Sequence, residues 1–121
     1  MGQDLIDRIG NTPLLRLRSI GREIPGVTLL AKAEWFNPGG SVKDRAAAGI
    51  VAAAEKAGRL DKTKVLLDAS SGNTAVAYAM IAAARGYRVK LCLPSNANPS
   101  VIRTLKSYGA EVVFTSPLES S

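Results

Sequence analysis

From Val65 onward the chain alternates short apolar runs with longer mixed stretches in a regular rhythm. Val65-Leu66-Leu67 reads as an apolar strand, and Asn73 to Arg85 as a helix closed by Gly86. Val89 to Leu93 is a second strand that Pro94 ends. Pro99 to Tyr108 is a second helix, with Val101, Ile102, Leu105 and Tyr108 on one face and Gly109 as its stop. Glu111-Val112-Val113-Phe114 forms a third strand. Strand, helix, strand, helix, strand at this spacing predicts an α/β fold: an open parallel βαβαβ sheet flanked by helices.

The first sixty residues are less regular. Asp4 to Ile9 reads as a short helix stopped by Gly10, with Asn11-Thr12-Pro13 as a turn. Leu14 to Leu17 and Thr28 to Trp35 read as strands, joined by a loop from Arg18 to Gly26. After the loop Asn37 to Gly40, Ser41 is the expected N-cap of a helix running to about Ala57, with Gly58 beyond it. The helices are rich in alanine, which is both the best helix former and small enough to let backbones approach.

Composition narrows the function classes. With 46% apolar and 21% charged residues in 121, the chain is an ordinary globular domain with room for a core. Sixteen Lys and Arg against ten Asp and Glu leave +6. That excess suits a phosphorylated cofactor or an amino acid, suits nucleic acid, or is simply a solvated basic surface. No dense Lys/Arg run and only six aromatics weigh against nucleic acid. The chain has no histidine, which removes His-dependent triads and disfavours a zinc site, so no metal is expected. Its single cysteine, Cys92, lies in an apolar run and is expected to be a buried thiol in a reducing cytoplasm. The start shows no signal-peptide pattern, and the alanine-rich runs are too short and too charge-bracketed to span a membrane.

Two places carry chemistry. In Asn37-Pro38-Gly39-Gly40-Ser41-Val42-Lys43-Asp44-Arg45, a lysine falls in the first turn of a helix, where the helix field favours acidic side chains. That field, with any desolvation, would favour the neutral, nucleophilic amine, a poor choice for stability and a good one for Schiff-base chemistry. The second place is Ser70-Ser71-Gly72-Asn73-Thr74, between the first strand of the regular unit and its helix. Parallel sheets bind ligands at the carboxyl ends of their strands, and hydroxyls, an amide and helix-start N–H groups together form an anion receptor suited to a carboxylate. The same residues are also ordinary N-cap and turn formers.

These residues, in this order, resemble the cysteine synthase and cystathionine β-synthase family of fold-type II pyridoxal-phosphate enzymes, which share the tryptophan synthase β-chain fold. Ile9-Gly10-Asn11-Thr12-Pro13-Leu14 matches the family's opening motif, Asn37 to Arg45 its cofactor-lysine motif, and Ser71-Gly72-Asn73-Thr74 its substrate loop. Gly86-Tyr87 and Tyr108-Gly109-Ala110-Glu111 fall at the expected places, so the resemblance runs nearly end to end. It implies that Lys43 would hold pyridoxal 5'-phosphate covalently and then serve as the base for the substrate α-proton. Asn73 would hydrogen-bond the cofactor's phenolic oxygen. Ser70, Ser71, Gly72, Asn73 and Thr74 would form the substrate site, where the hydroxyls and backbone N–H groups hold an amino acid's α-carboxylate. The implied activity is that of a transferase: β-replacement on O-acetylserine or a similar activated serine by sulfide, giving cysteine. Val42 before the lysine looks like the synthase branch.

The chain departs from the pattern in places. Ser70 stands where the family usually has Thr, Ala75 where the loop usually ends in Gly, and Ser100-Val101-Ile102 where a Glu-Arg-Arg stretch is common. Nothing after Glu111 resembles the family's second glycine-rich loop, which holds the cofactor phosphate. The resemblance therefore implies the N-terminal portion of a synthase. Residues 1–36 would be an arm whose two strands pack on a C-terminal domain, and residues 37–121 a small α/β domain carrying the lysine and the substrate loop. Leu14, Leu15, Leu29, Leu30 and Trp35 would then lack packing partners here, and the chain would form a homo-oligomer or associate with a C-terminal half. The alternatives are a catalytically incomplete α/β fragment or interaction module that keeps the motifs, and a nucleotide or nucleic-acid binder. The missing Gly-x-Gly-x-x-Gly and Walker patterns argue against the last.

Overall fold

The computed structural model describes residues 4–117. Two sheets are present among them. Strands β1 (Leu14–Leu17) and β2 (Leu29–Lys32) form an antiparallel pair with Leu14 opposite Lys32 and Leu17 opposite Leu29. Strands β3 (Val65–Ala69), β4 (Arg88–Pro94) and β5 (Glu111–Thr115) form a parallel sheet in that order. Helices α1 (Lys43–Lys56), α2 (Asn73–Arg85) and α3 (Pro99–Ser107) complete the chain, the last two as the crossovers between parallel strands. The βαβαβ unit is as the apolar rhythm predicts.

The core lies between the parallel sheet and its helices. Along β4, Val89, Leu91 and Leu93 are buried while the residues between them turn to the other face. They meet Met80 and Ile81 of α2 and Leu105 of α3, all fully buried. Helix α2 is buried over almost its whole circumference, from Ala75 through Ala82 except Val76, because it touches the sheet, α1 and α3 at once. Its run of alanines makes that crowding possible: Ala47 of α1 and Ala75, Ala77, Ala79 and Ala82 of α2 are buried with no bulk to hold the helices apart. Gly86 ends α2 in the left-handed conformation, φ 71°, with its N–H on the Ala82 carbonyl. Helix α3 opens as expected for Pro at its start, with the Asn98 side chain accepting from the Ser100 N–H at 2.8 Å.

Several sequence expectations need correction. Asp4 to Ile9 is only one 3-10 turn, Ile6–Arg8, since Gly10 and Asn11 at positive φ turn the chain away. The strand expected to reach Trp35 stops at Lys32. The chain bends at Ala33 and Glu34–Phe36 form a 3-10 turn, which brings the Glu34 carboxylate back to Thr12, Asn37 and Arg45. Helix α1 begins at Lys43 rather than beside Ser41, although the Ser41 hydroxyl still accepts the Lys43 N–H at 3.2 Å. Cys92 is half-buried, on the sheet face opposite the core, and not fully enclosed. Of the four positions expected to be buried on α3, only Leu105 is fully so; Val101, Ile102 and Tyr108 are partly covered.

No helix among the described residues is long and apolar enough to cross a membrane.

Candidate active site

The loop before Lys43 is held at both of its ends. Asn37, almost fully buried, accepts the Gly10 N–H at 2.8 Å and donates through Nδ2 to the Glu34 carbonyl at 2.7 Å and to Glu34 Oε2 at 2.9 Å. The Arg45 guanidinium spans Glu34 and Thr12, with Nε to Glu34 Oε2 at 2.8 Å and Nη2 to Thr12 Oγ1 at 3.2 Å. Thr12 in turn donates to Glu34 Oε1 at 2.7 Å. The Arg45 bond above all, with Thr12 and Asn37, holds the Glu34 carboxyl down at about 2. The opening motif at Ile9–Leu14 is thereby given a physical role: Gly10 and Thr12 dock the hairpin against the lysine loop. Gly10 is required there by its φ of 87° and by the Arg45 guanidinium lying against it.

At the loop's other end Asp44 is fully buried, and its Oδ2 accepts the Gly39 N–H at 2.5 Å. Burial pushes its carboxyl up from the usual value, and the Gly39 bond offsets that only in part. Lys43 itself is exposed at the first residue of α1. The helix-start field expected from the sequence is present; the desolvation is not supplied by the described residues.

Ser70 continues the parallel ladder, its N–H donating to the Cys92 carbonyl at 3.2 Å, so the Ser70–Thr74 loop sits at the carboxyl end of the sheet. Helix α2 begins at Asn73 behind Gly72, and no side chain caps it. The cap explanation of this cluster therefore fails: the Ser70, Ser71, Asn73 and Thr74 side chains make no hydrogen bond to other described residues. Their hydroxyls and amide are open to solvent or a ligand. Ala75, which the family pattern would place beside the ligand, points instead into the core and is fully buried.

The two places lie at the same end of one helix pair. Glu55 near the end of α1 is bonded to Arg85 at the end of α2 at 2.8 Å. Val51 of α1 and Tyr78 of α2 line one cleft of about 230 Å³ against β3. The helices thus run in the same direction. Lys43 is twelve residues before Glu55 (55 − 43), and Asn73 twelve before Arg85 (85 − 73). At ~1.5 Å per residue both lie ~18 Å from the ion pair, which sets the amine and the hydroxyl cradle on the same side of the molecule.

The sequence singles out Lys43 and the loop as candidates but not Glu34, which it places inside a strand; the clustering of Thr12, Glu34, Asn37 and Arg45 becomes visible only once the chain folds back at Ala33. Among the described residues no group of His, Cys, Asp and Glu could hold a metal ion.

Comparison with known proteins shows the chain's family. The family model described as pyridoxal-phosphate dependent enzyme matches residues 5–121. Cysteine synthase B of Salmonella typhimurium is 46% identical over 106 residues, covering 88% of this chain and 35% of that protein. The cysteine synthase of Aquifex aeolicus is 42% identical over 121 residues, covering 98% of this chain and 37% of the other. The crystal structure of a cysteine synthase from Entamoeba histolytica superposes with a TM-score of 0.93 at 34% identity, over 98% of this chain and 36% of that one. The chain thus spans about a third of the length of the curated relatives it matches.

Proposed function

Because this chain belongs to the pyridoxal-phosphate-dependent enzyme family, we propose that it carries the lysine and substrate loop of a cysteine synthase. The reaction is replacement of the β-leaving group of O-acetylserine, or a similar activated serine, by sulfide. The observation that carries this reading is the placing of Lys43 and the unused Ser70–Thr74 side chains at one end of the α1–α2 pair.

The residues present fit the cofactor's chemistry. An exposed primary amine is available for covalent attachment, and an amide at Asn73 is free to hydrogen-bond a ring oxygen. Pyridoxal phosphate, when bound, supplies the electron sink that makes the substrate α-carbon acidic. Lys43 Nζ would hold the cofactor and, once the substrate's own amine has displaced it, would be free to accept the α-proton. Asn73 would hydrogen-bond the ring's phenolic oxygen and so orient the ring. Ser70, Ser71 and Thr74 donate hydroxyl hydrogens to the substrate α-carboxylate, and the N–H groups around Gly72, at the positive end of α2, add to that field. The neighbouring loop is held rigid by Asn37 and Asp44, so the amine is presented from fixed backbone.

Residues 37–121 form the small domain of the enzyme, and residues 1–36 an arm that packs on a C-terminal domain. The exposure of the β1–β2 hairpin supports this, with every residue of β1 exposed. The enzyme works as a homodimer in the cytoplasm. The chain's span of about a third of its relatives favours a second reading, in which this piece is catalytically incomplete without the remainder. Cysteine formation from O-acetylserine and sulfide separates the two, measured with the 121-residue chain alone and with a supplied C-terminal portion of a relative. Activity that appears in neither case contradicts the synthase reading.

A further inference from the structure

The lysine's neighbour Asp44 has an unusual setting. It is fully buried, yet only Oδ2 has a partner; Oδ1 is buried with none. A buried acidic oxygen without a partner is costly, and natural folds keep such groups where something else depends on them. What faces Oδ1 is the α-carbon of Gly39: a Cβ built there would overlap it, so the pair accepts only glycine at 39 while an acid stands at 44. The constraint is one of space, since the φ of Gly39 is not in the left-handed region. The carboxyl therefore closes the Asn37–Ser41 loop against the first turn of α1 at the residue adjoining Lys43. Among the described residues no lysine, arginine or other acid bonds to it, so it is not part of the Glu34–Arg45 cluster.

We propose that Asp44 is a positioning residue for Lys43, acting with Gly39 as an interlocked pair that fixes the direction in which the lysine leaves the helix start. This rests on the reading of Lys43 as the cofactor lysine. An amine on a loosened first turn would sample many directions, and attachment to a ring held by Asn73 requires one. Asn at 44 would keep the acceptor for the Gly39 N–H and the shape of the side chain without its charge. Ala would lose both.

The test is reductive trapping of pyridoxal phosphate on the 121-residue chain, with the labelled lysines located by mass spectrometry. Lys56, at the far end of the same helix, is the internal control. In the unmodified chain Lys43 should be labelled at least tenfold faster than Lys56. Asp44→Asn should keep most of that preference, Asp44→Ala should lose most of it, and Gly39→Ala should lose it only while Asp44 is present. In the Asp44→Ala background, Gly39→Ala should change nothing further. Equal labelling of Lys43 and Lys56 in the unmodified chain would defeat the cofactor-lysine reading and this inference with it. A normal preference there, kept undiminished in Asp44→Ala or with independent effects of the two substitutions, would overturn the positioning role alone.

Discussion

Glu55 and Arg85 meet at 2.8 Å, and Tyr87 donates to the other oxygen of the same carboxylate at 2.6 Å. This contact ties the ends of α1 and α2 and so aligns their starts, thirty residues apart in sequence, where Lys43 and the Ser70–Thr74 loop lie. The Tyr87 bond first, and the Arg85 charge after it, hold the Glu55 carboxyl below its ordinary value. Glu55→Ala removes the tie and leaves the Tyr87 hydroxyl and the Arg85 guanidinium without their shared carboxylate, while Lys62 stays over the Tyr87 ring. The thermal midpoint should fall by roughly 3–6 °C, and Lys43 should lose reactivity toward pyridoxal phosphate although it is far from the substitution. An unchanged midpoint would show that the helices are aligned by the sheet alone.

Glu34 sets an acid limit. Its charged form is favoured in the fold, with the carboxyl held at about 2 against an ordinary 4.5. Its stabilising contribution is whole above pH 4.5 and disappears as the pH falls toward 2. Glu34→Gln should be less stable at neutral pH and should show a shallower loss across that window. Asp44 works in the opposite sense, because its raised carboxyl makes the fold prefer the protonated form. Asp44→Asn should therefore not lower the thermal midpoint at neutral pH. Melting followed by circular dichroism from neutral pH downward reads both.

Ser71 and Thr74 should be dispensable for folding. Neither caps α2 nor bonds to another described residue, so Ser71→Ala and Thr74→Ala should each change stability by less than about 0.5 kcal/mol. A cost near 1 kcal/mol, the usual worth of a lost cap, would restore the capping explanation. Leu91→Ala provides the contrast. It empties a fully buried site and should cost about 2–5 kcal/mol.

The β1–β2 arm should make the isolated chain associate. Leu14, Leu30, Trp35 and Phe36 are each more than half exposed, and the Trp35 and Phe36 rings lie side by side at 6.0 Å between centroids. Sedimentation should show concentration-dependent association that Leu30→Lys with Phe36→Ser abolishes. A monodisperse monomer with unaltered sequence would count against the arm as a packing surface.

The βαβαβ unit was legible because its strands are continuous apolar runs and its helices end in glycine, signals that are local. Lys43 stands out as a candidate because helix starts favour acidic side chains, and the Ser70–Thr74 loop because it holds four cap-forming residues where one cap would suffice. Glu34 does not. Thr28 to Trp35 reads as one strand, and the bend at Ala33 goes with contacts to Thr12, Asn37 and Arg45 that only the folded chain assembles. The half-burial of Cys92 was also hidden, since an apolar strand does not declare whether both faces of its sheet are covered.

The reading of Lys43 as the residue that takes the cofactor is open to direct measurement. Pyridoxal phosphate titrated into the chain should produce a visible absorbance band characteristic of a lysine adduct, and Lys43→Ala should abolish it while leaving the far-ultraviolet dichroism unchanged. A band of equal strength in the Lys43→Ala chain would contradict the account.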